Sequence, residues 1–145
     1  MRERVPIVTS PSRLTIVLGV TFAAFSCTPT QGKEEAANVV RVVTDLRMAD
    51  NENKRSPLEH LRSLPCKTTE VCETRNACVE AFEHHVRGVE LGARLKNRLT
   101  QDASPVRPDD DAALLLEMNL EVEEGRKAMP LCEQRVGALR RRHKL

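Results

Sequence analysis

Residues 109–139 read DDDAALLLEMNLEVEEGRKAMPLCEQRVGAL, and the spacing of apolar side chains in this stretch decides the fold. Leu115, Met118, Val122, Gly125, Met129, Cys132, Val136 and Leu139 step alternately by three and four residues. A seam of that period belongs to helices that pack side by side. Asp109, Asp110 and Asp111 open the stretch, and Arg140-Arg141-Arg142-His143-Lys144 closes it. Each charge thus lies at the helix end whose dipole it complements. Three successive acids would also suit a cation, but a calcium loop alternates its acids around a central Gly, and that spacing is missing. The cap is the better reading. Pro130 has no N–H and clashes with the preceding turn, so a kink or pause is expected near Lys127.

Working backwards, Asp102 to Pro108 holds two prolines among polar residues and reads as a loop. Before it, a long helical pattern runs from Thr69 to Leu99, with Cys78, Val79, Phe82, Val86, Val89 and Ala93 on one stripe. Leu95 and Leu99 extend it. Ser56-Pro57-Leu58-Glu59 looks like an N-cap with Pro at the first helical position, opening a short helix that Pro65 stops after Leu64. Asn51 to Arg55 reads as a polar linker. Glu34 to Asp50 carries Val39, Val43 and Leu46 at helical spacing, although its β-branched run also suits a strand. The expected fold class is all-α, a small antiparallel helical hairpin or bundle over residues 34–145, with disulfides.

Five cysteines punctuate the chain: Cys27, Cys66, Cys72, Cys78 and Cys132. Positions that face each other in an antiparallel hairpin are equidistant from the centre of its loop. For Cys78 and Cys132 that centre is Pro105, inside the expected loop; for Cys72 with Cys132 it is position 102, and for Cys66 with Cys132 position 99. Six residues of helix span about 9 Å, more than the roughly 4.4–6.8 Å between the Cα atoms of a disulfide. Cys78–Cys132 therefore ranks first, which leaves Cys66 to pair with Cys72. The five-residue gaps from Cys66 to Cys72 to Cys78 are unlike zinc pairs, and there is neither a C-x-x-C redox pair nor a haem site.

The fifth cysteine belongs to the N-terminal segment. Arg2, Arg4 and Arg13 precede Leu14 to Phe25, an uncharged run of 12 residues. A membrane span needs about 20 residues, whereas the core of a signal peptide needs about 7–15. Residues 1–26 thus read as a cleavable signal peptide. Ala24-Phe25-Ser26-Cys27 resembles a bacterial lipobox, which makes Cys27 the expected lipidated residue; Phe25 is bulkier than the usual occupant of its position. Lipid on Cys27 would leave four cysteines, an even set for two disulfides. Residues 27–33, polar with Pro and Gly, read as a flexible linker.

Composition narrows the partners. Without residues 1–26 the chain has 119 residues with 20 basic and 20 acidic side chains, so no basic face for nucleic acid is expected. Phe82 is then the sole aromatic, which disfavours stacking on bases or sugars. His84 and His85 are neighbours on a helix and diverge by about 100°, so they are not a chelating pair; His84 is placed to face Glu80. Gly88 and Gly92 form a small-xxx-small spacing that permits close helix packing. No catalytic, metal or cofactor residues are assigned.

With the lipobox-like end, Pro65-Cys66…Cys72…Cys78 and Pro130-Leu131-Cys132, the chain is similar in layout to uncharacterised cysteine-containing lipoproteins of myxobacterial genomes. The resemblance covers roughly residues 60–140. It implies a Gram-negative envelope and no activity; Thr28, where an Asp would retain a lipoprotein at the inner membrane, then implies the outer membrane. The expected role is that of a non-enzymatic structural or interaction lipoprotein, bound to the membrane through Cys27, with an envelope protein as partner. The alternatives are a periplasmic ligand or metal-ion module using Asp109–Asp111 or His84 and His85, or a soluble secreted helical protein. An enzyme would lack a nucleophile–base or paired-carboxylate signature.

Overall fold

A computed structural model of the chain describes residues 29–100 and 108–145. Four α-helices follow one another: α1 (Pro29–Met48), α2 (Arg55–Ser63), α3 (Thr69–Thr100) and α4 (Pro108–His143), with a 3-10 turn at Asn51–Asn53 between the first two. The described residues contain no strand. The signal segment 1–26 and Cys27 lie outside them, as does Pro105.

Helix α1 settles the ambiguity of its valines. Ala36, Val39, Val40, Val43 and Leu46 recur at helical spacing, and Val42 is buried beside them. β-Branched residues cost a few tenths of a kcal/mol each in a helix, while full burial of such a side chain contributes about 1.5–3 kcal/mol. Packing decides. The helix begins at Pro29, so residues 29–33, read from the sequence as flexible linker, are helical. A Cβ on Gly32 would lie 3.5 Å from Thr68 Oγ1 and 3.8 Å from His143 Cε1, so this first turn already approaches the rest of the fold.

Helix α2 starts one residue before the expected Ser56 cap. Leu58 donates its N–H to the Lys54 carbonyl at 3.1 Å, which makes Lys54 the N-cap residue and puts Ser56 inside the first turn. Pro57 is tolerated there because the first N–H groups of a helix lack intrahelical partners. Leu58, Leu61 and Leu64 bury their side chains against the core, as their spacing requires.

Helices α3 and α4 form the long antiparallel hairpin. Their register is fixed at several levels, each equidistant from position 105 or nearly so. Cys78 is bonded to Cys132, with Cα atoms 4.6 Å apart. A Cβ on Gly88 would lie 3.2 Å from Val122 Cγ2, and one on Gly92 3.3 Å from Met118 Sδ. The small residues are therefore where the two helices approach closely. Of the kink or pause expected near Lys127, the pause does not occur: α4 is continuous through Pro130. The lost N–H removes one backbone bond, and the Cys132 staple and the buried Val136 and Leu139 hold the segment that follows.

Helix α3 is buried on two faces, which a single sequence stripe did not reveal. Cys78, Phe82 and Val86 lie in the core, and Val71, Thr74, Ala77, Ala81 and Leu91 are buried as well. Ala93 and Leu99, at the far end of the pattern, are exposed. The second disulfide, Cys66–Cys72, has a Cα separation of 5.3 Å and ties the segment after α2 to the first turn of α3.

Candidate functional site

The base of the molecule is where all four helices meet. Arg47 of α1 reaches Glu133 of α4 at 3.5 Å, and Arg55 of α2 reaches Glu90 of α3 at 2.7 Å. Beyond those points α3 and α4 pair with each other as a two-helix arm. Its sequence explains its surface: eight of the eleven residues from Ala112 to Val122 are apolar. A helix that is hydrophobic all round seeks burial on more than one side. Here α3 covers one side, and Leu115, Leu116, Leu120 and Val122 remain 45%, 62%, 56% and 54% exposed.

The two glutamates of the same stretch are held within the arm. Glu121, largely buried, lies 2.7 Å from His84 Nδ1 and 3.0 Å from Arg87 Nε. Glu117 accepts from Arg87 at 2.8 Å, and that bond holds the Arg87 guanidinium above its ordinary value. His84 thus faces Glu121 on α4, and not Glu80 on its own helix as the sequence suggested. At the tip, Arg98 sits 3.1 Å from Asp111 and 3.6 Å from Asp110. These acids stand in the first turn of α4, where the helix dipole favours negative charge. Across the described residues, no group of three or more His, Cys, Asp or Glu is placed to hold a metal ion.

Among the concavities of the described residues, two differ sharply in character. One, of about 340 Å³, runs between α2 and α3 and is lined by Arg55, Arg62, Arg87 and Arg94 together with Glu59, Glu83, Glu90 and Glu117. Its charges balance and interlock. Arg62 bridges Glu59 at 2.8 Å and Glu83 at 2.9 Å, and its guanidinium is held up chiefly by the charge of Glu83. Arg55 is raised as well, chiefly by its hydrogen bond to Glu90. The other, of about 470 Å³, is an apolar groove beyond the end of α1, lined by His85, Val122, Gly125, Met129 and Pro130 between Arg126 and Glu133. His85 is half-buried, with Nε2 3.3 Å from Asn51 Oδ1. Burial, and then the charge of Lys54, hold its imidazole below the ordinary value.

Two residues that position these elements were not singled out from sequence. Lys54, read as part of a polar linker, is buried and donates to the Leu46 and Ala49 carbonyls at 2.8 and 2.7 Å. Glu35 accepts from the backbone N–H groups of Lys67 and Thr68 at 3.0 and 3.2 Å, just before α3 begins. The Lys67 bond holds its carboxyl below the usual range against the opposing effect of burial. A lysine just past the end of one helix was a legible signal for the first; nothing local marks the second.

The fold and surface define a disulfide-stapled all-α protein with a projecting two-helix arm. Comparison with models of known protein families, with curated proteins and with solved structures finds no match for this chain.

Proposed function

We propose that this chain is an exported, non-enzymatic interaction protein of a bacterial cell envelope, anchored to the membrane by lipid on Cys27. The observation that carries the interaction role is the apolar tip of α4, whose leucines stand exposed while its glutamates are held by Arg87 and His84. Its polar neighbours are engaged in ion pairs, which suits a surface for packing better than a site for chemistry. Support for export comes from the two disulfides, because such bonds persist in oxidising compartments. Support for the anchor comes from parity. Cys66, Cys72, Cys78 and Cys132 pair among themselves, so Cys27 has no cysteine partner within the chain. Among the described residues, no helix is long and apolar enough to cross a membrane, so attachment would rest on the segment that ends at Cys27. In a Gram-negative cell the expected address is the periplasmic face of the outer membrane.

Intact mass of the mature protein, before and after reduction, tests this reading. Cleavage after Ser26, acyl mass on Cys27 and four thiols released by reduction are expected. A mature form with an unmodified Cys27 thiol would remove the anchor, and retention of residues 1–26 would remove the processing step.

A further inference from the structure

A second seam runs along α4 on the side away from α3. Asp109, Ala113, Leu116, Leu120, Glu123 and Lys127 step by four, three, four, three and four residues, the spacing of a coiled-coil face. All but Glu123, which is half-buried, are exposed. Leu116 and Leu120 are the two most exposed leucines of the helix.

This seam is complementary to itself. Reversed about position 118, it sets Leu116 opposite Leu120 and Asp109 opposite Lys127, while Glu123, bonded to Arg126 on its own helix at 2.7 Å, falls opposite Ala113. The leucines form the centre, opposite charges close both ends, and the small Ala113 leaves room for the Glu123 stem. A shift of one heptad step destroys the match. Moved one way, Leu116 meets Lys127 and Leu120 meets Glu123; moved the other way, Asp109 meets Leu120. One register thus satisfies both the apolar and the charged pairs, which is how such seams select their partners.

We infer that the occupant of this face is a second copy of the same chain, bound antiparallel through α4 about a two-fold axis at the level of Met118. The contact is isologous, as in most closed dimers. The antiparallel arrangement also opposes the two helix dipoles. The overlap covers residues 108–128 of each helix, about 30 Å at 1.5 Å per residue. The α1 contacts to α4, at Glu133 and Arg140, lie beyond that overlap, so each base points away from the other copy. Lys127 is paired with Glu124 at 2.8 Å on its own helix, but an exposed pair of this kind exchanges partners at little cost. The inference names the partner of the arm and does not depend on lipid at Cys27. The mass of residue 27 is read separately, so either proposal can fail alone.

A seam of this length lies toward the low end of specific interfaces, about 1,200 Å² or less. Association is therefore sought by sedimentation equilibrium of the full oxidised chain in mild detergent, to about 1 mM. Monomer–dimer exchange is expected, with the Leu116→Glu/Leu120→Glu variant weakened at least tenfold while its helicity and thermal midpoint stay within error of the parent. A photo-crosslinking amino acid at position 116 should capture the partner's peptide around 120. A monomer throughout the series overturns the proposal and leaves the face to a different protein. So does a dimer that survives both glutamates, or a crosslink that maps to the base.

Discussion

Lys54 closes the end of α1 at Leu46: its ammonium donates to the Leu46 carbonyl at 2.8 Å and to that of Ala49 at 2.7 Å. The last carbonyls of a helix have no intrahelical partner, and a cation there is favoured by the dipole as well. The same residue's own carbonyl accepts the Leu58 N–H that begins α2. One side chain and one carbonyl therefore set where the first helix stops and the second starts. Lys54→Met keeps the apolar stem but removes both donors from a buried site. Hydrogen bonds to charged groups are worth about 1.5–3 kcal/mol, so a loss of about 2 kcal/mol is expected in urea unfolding of the oxidised protein. An unchanged midpoint would mean that water serves those carbonyls equally well.

The two disulfides should contribute unequally. Cys78–Cys132 links residues 54 apart in sequence and Cys66–Cys72 residues 6 apart. In the chain-entropy account the long loop contributes about 4 kcal/mol and the short one about 2. Replacing Cys78 and Cys132 together by Ala should accordingly lower stability more than the same change at Cys66 and Cys72. Thermal unfolding of the two double variants measures the order, and a larger loss at Cys66 and Cys72 would contradict it.

The hairpin register was legible because it rests on one-dimensional arithmetic. Cys78 and Cys132 flank position 105 equally, and an antiparallel pair leaves little freedom once the loop is located. Other features needed three dimensions. Helix α3 packs against α1 and α2 as well as α4, and no period along one helix tells how many partners it has. Glu35 meets Lys67 and Thr68 across more than thirty residues, a contact without local signature. The Ser56 cap was misplaced because the motif scores side chains, whereas the Lys54 carbonyl started the helix. On the arm, the sequence period located the face against α3 through Met118, Gly125 and Cys132. It also drew Leu115 and Val122 into that seam, and they prove exposed.

The close approach of the arm helices makes two glycines behave differently. A Cβ on Gly92 would meet the Met118 sulfur at 3.3 Å, the far part of a flexible side chain that can turn aside. Gly→Ala within a helix gains up to about 1 kcal/mol in propensity, so Gly92→Ala should be neutral to stabilising. Gly88 faces the branched Val122 at 3.2 Å, with the Val122 backbone N at 3.7 Å behind it. Gly88→Leu would force the helices apart, and overpacking of this kind costs about 1–3 kcal/mol. Chemical denaturation of both variants checks the contrast, and equal effects at the two sites would argue that the helices slide freely there.

Acid should weaken the fold in two separable stages, of which His85 governs the first. Burial and the nearby Lys54 charge lower its imidazole from the ordinary 6.5, so the unfolded chain takes up a proton more readily than the folded one. Stability then rises with pH wherever the unfolded state binds more protons. The contribution is therefore complete above 6.5 and is lost as the pH falls through that value toward the lowered one. Glu35 acts later, because its carboxyl is lowered from 4.5 and its hold on Lys67 and Thr68 is lost only as the pH drops below that. His85→Gln removes the titrating ring while keeping a polar group near Asn51. Plotted as parent minus variant, unfolding free energy should decline as the pH falls from 7 through 6.5. Glu35→Gln should instead leave that interval unchanged and reduce the further loss below pH 4.5. A flat difference for His85→Gln across the upper interval would show that the half-buried imidazole titrates alike in the folded and unfolded chains.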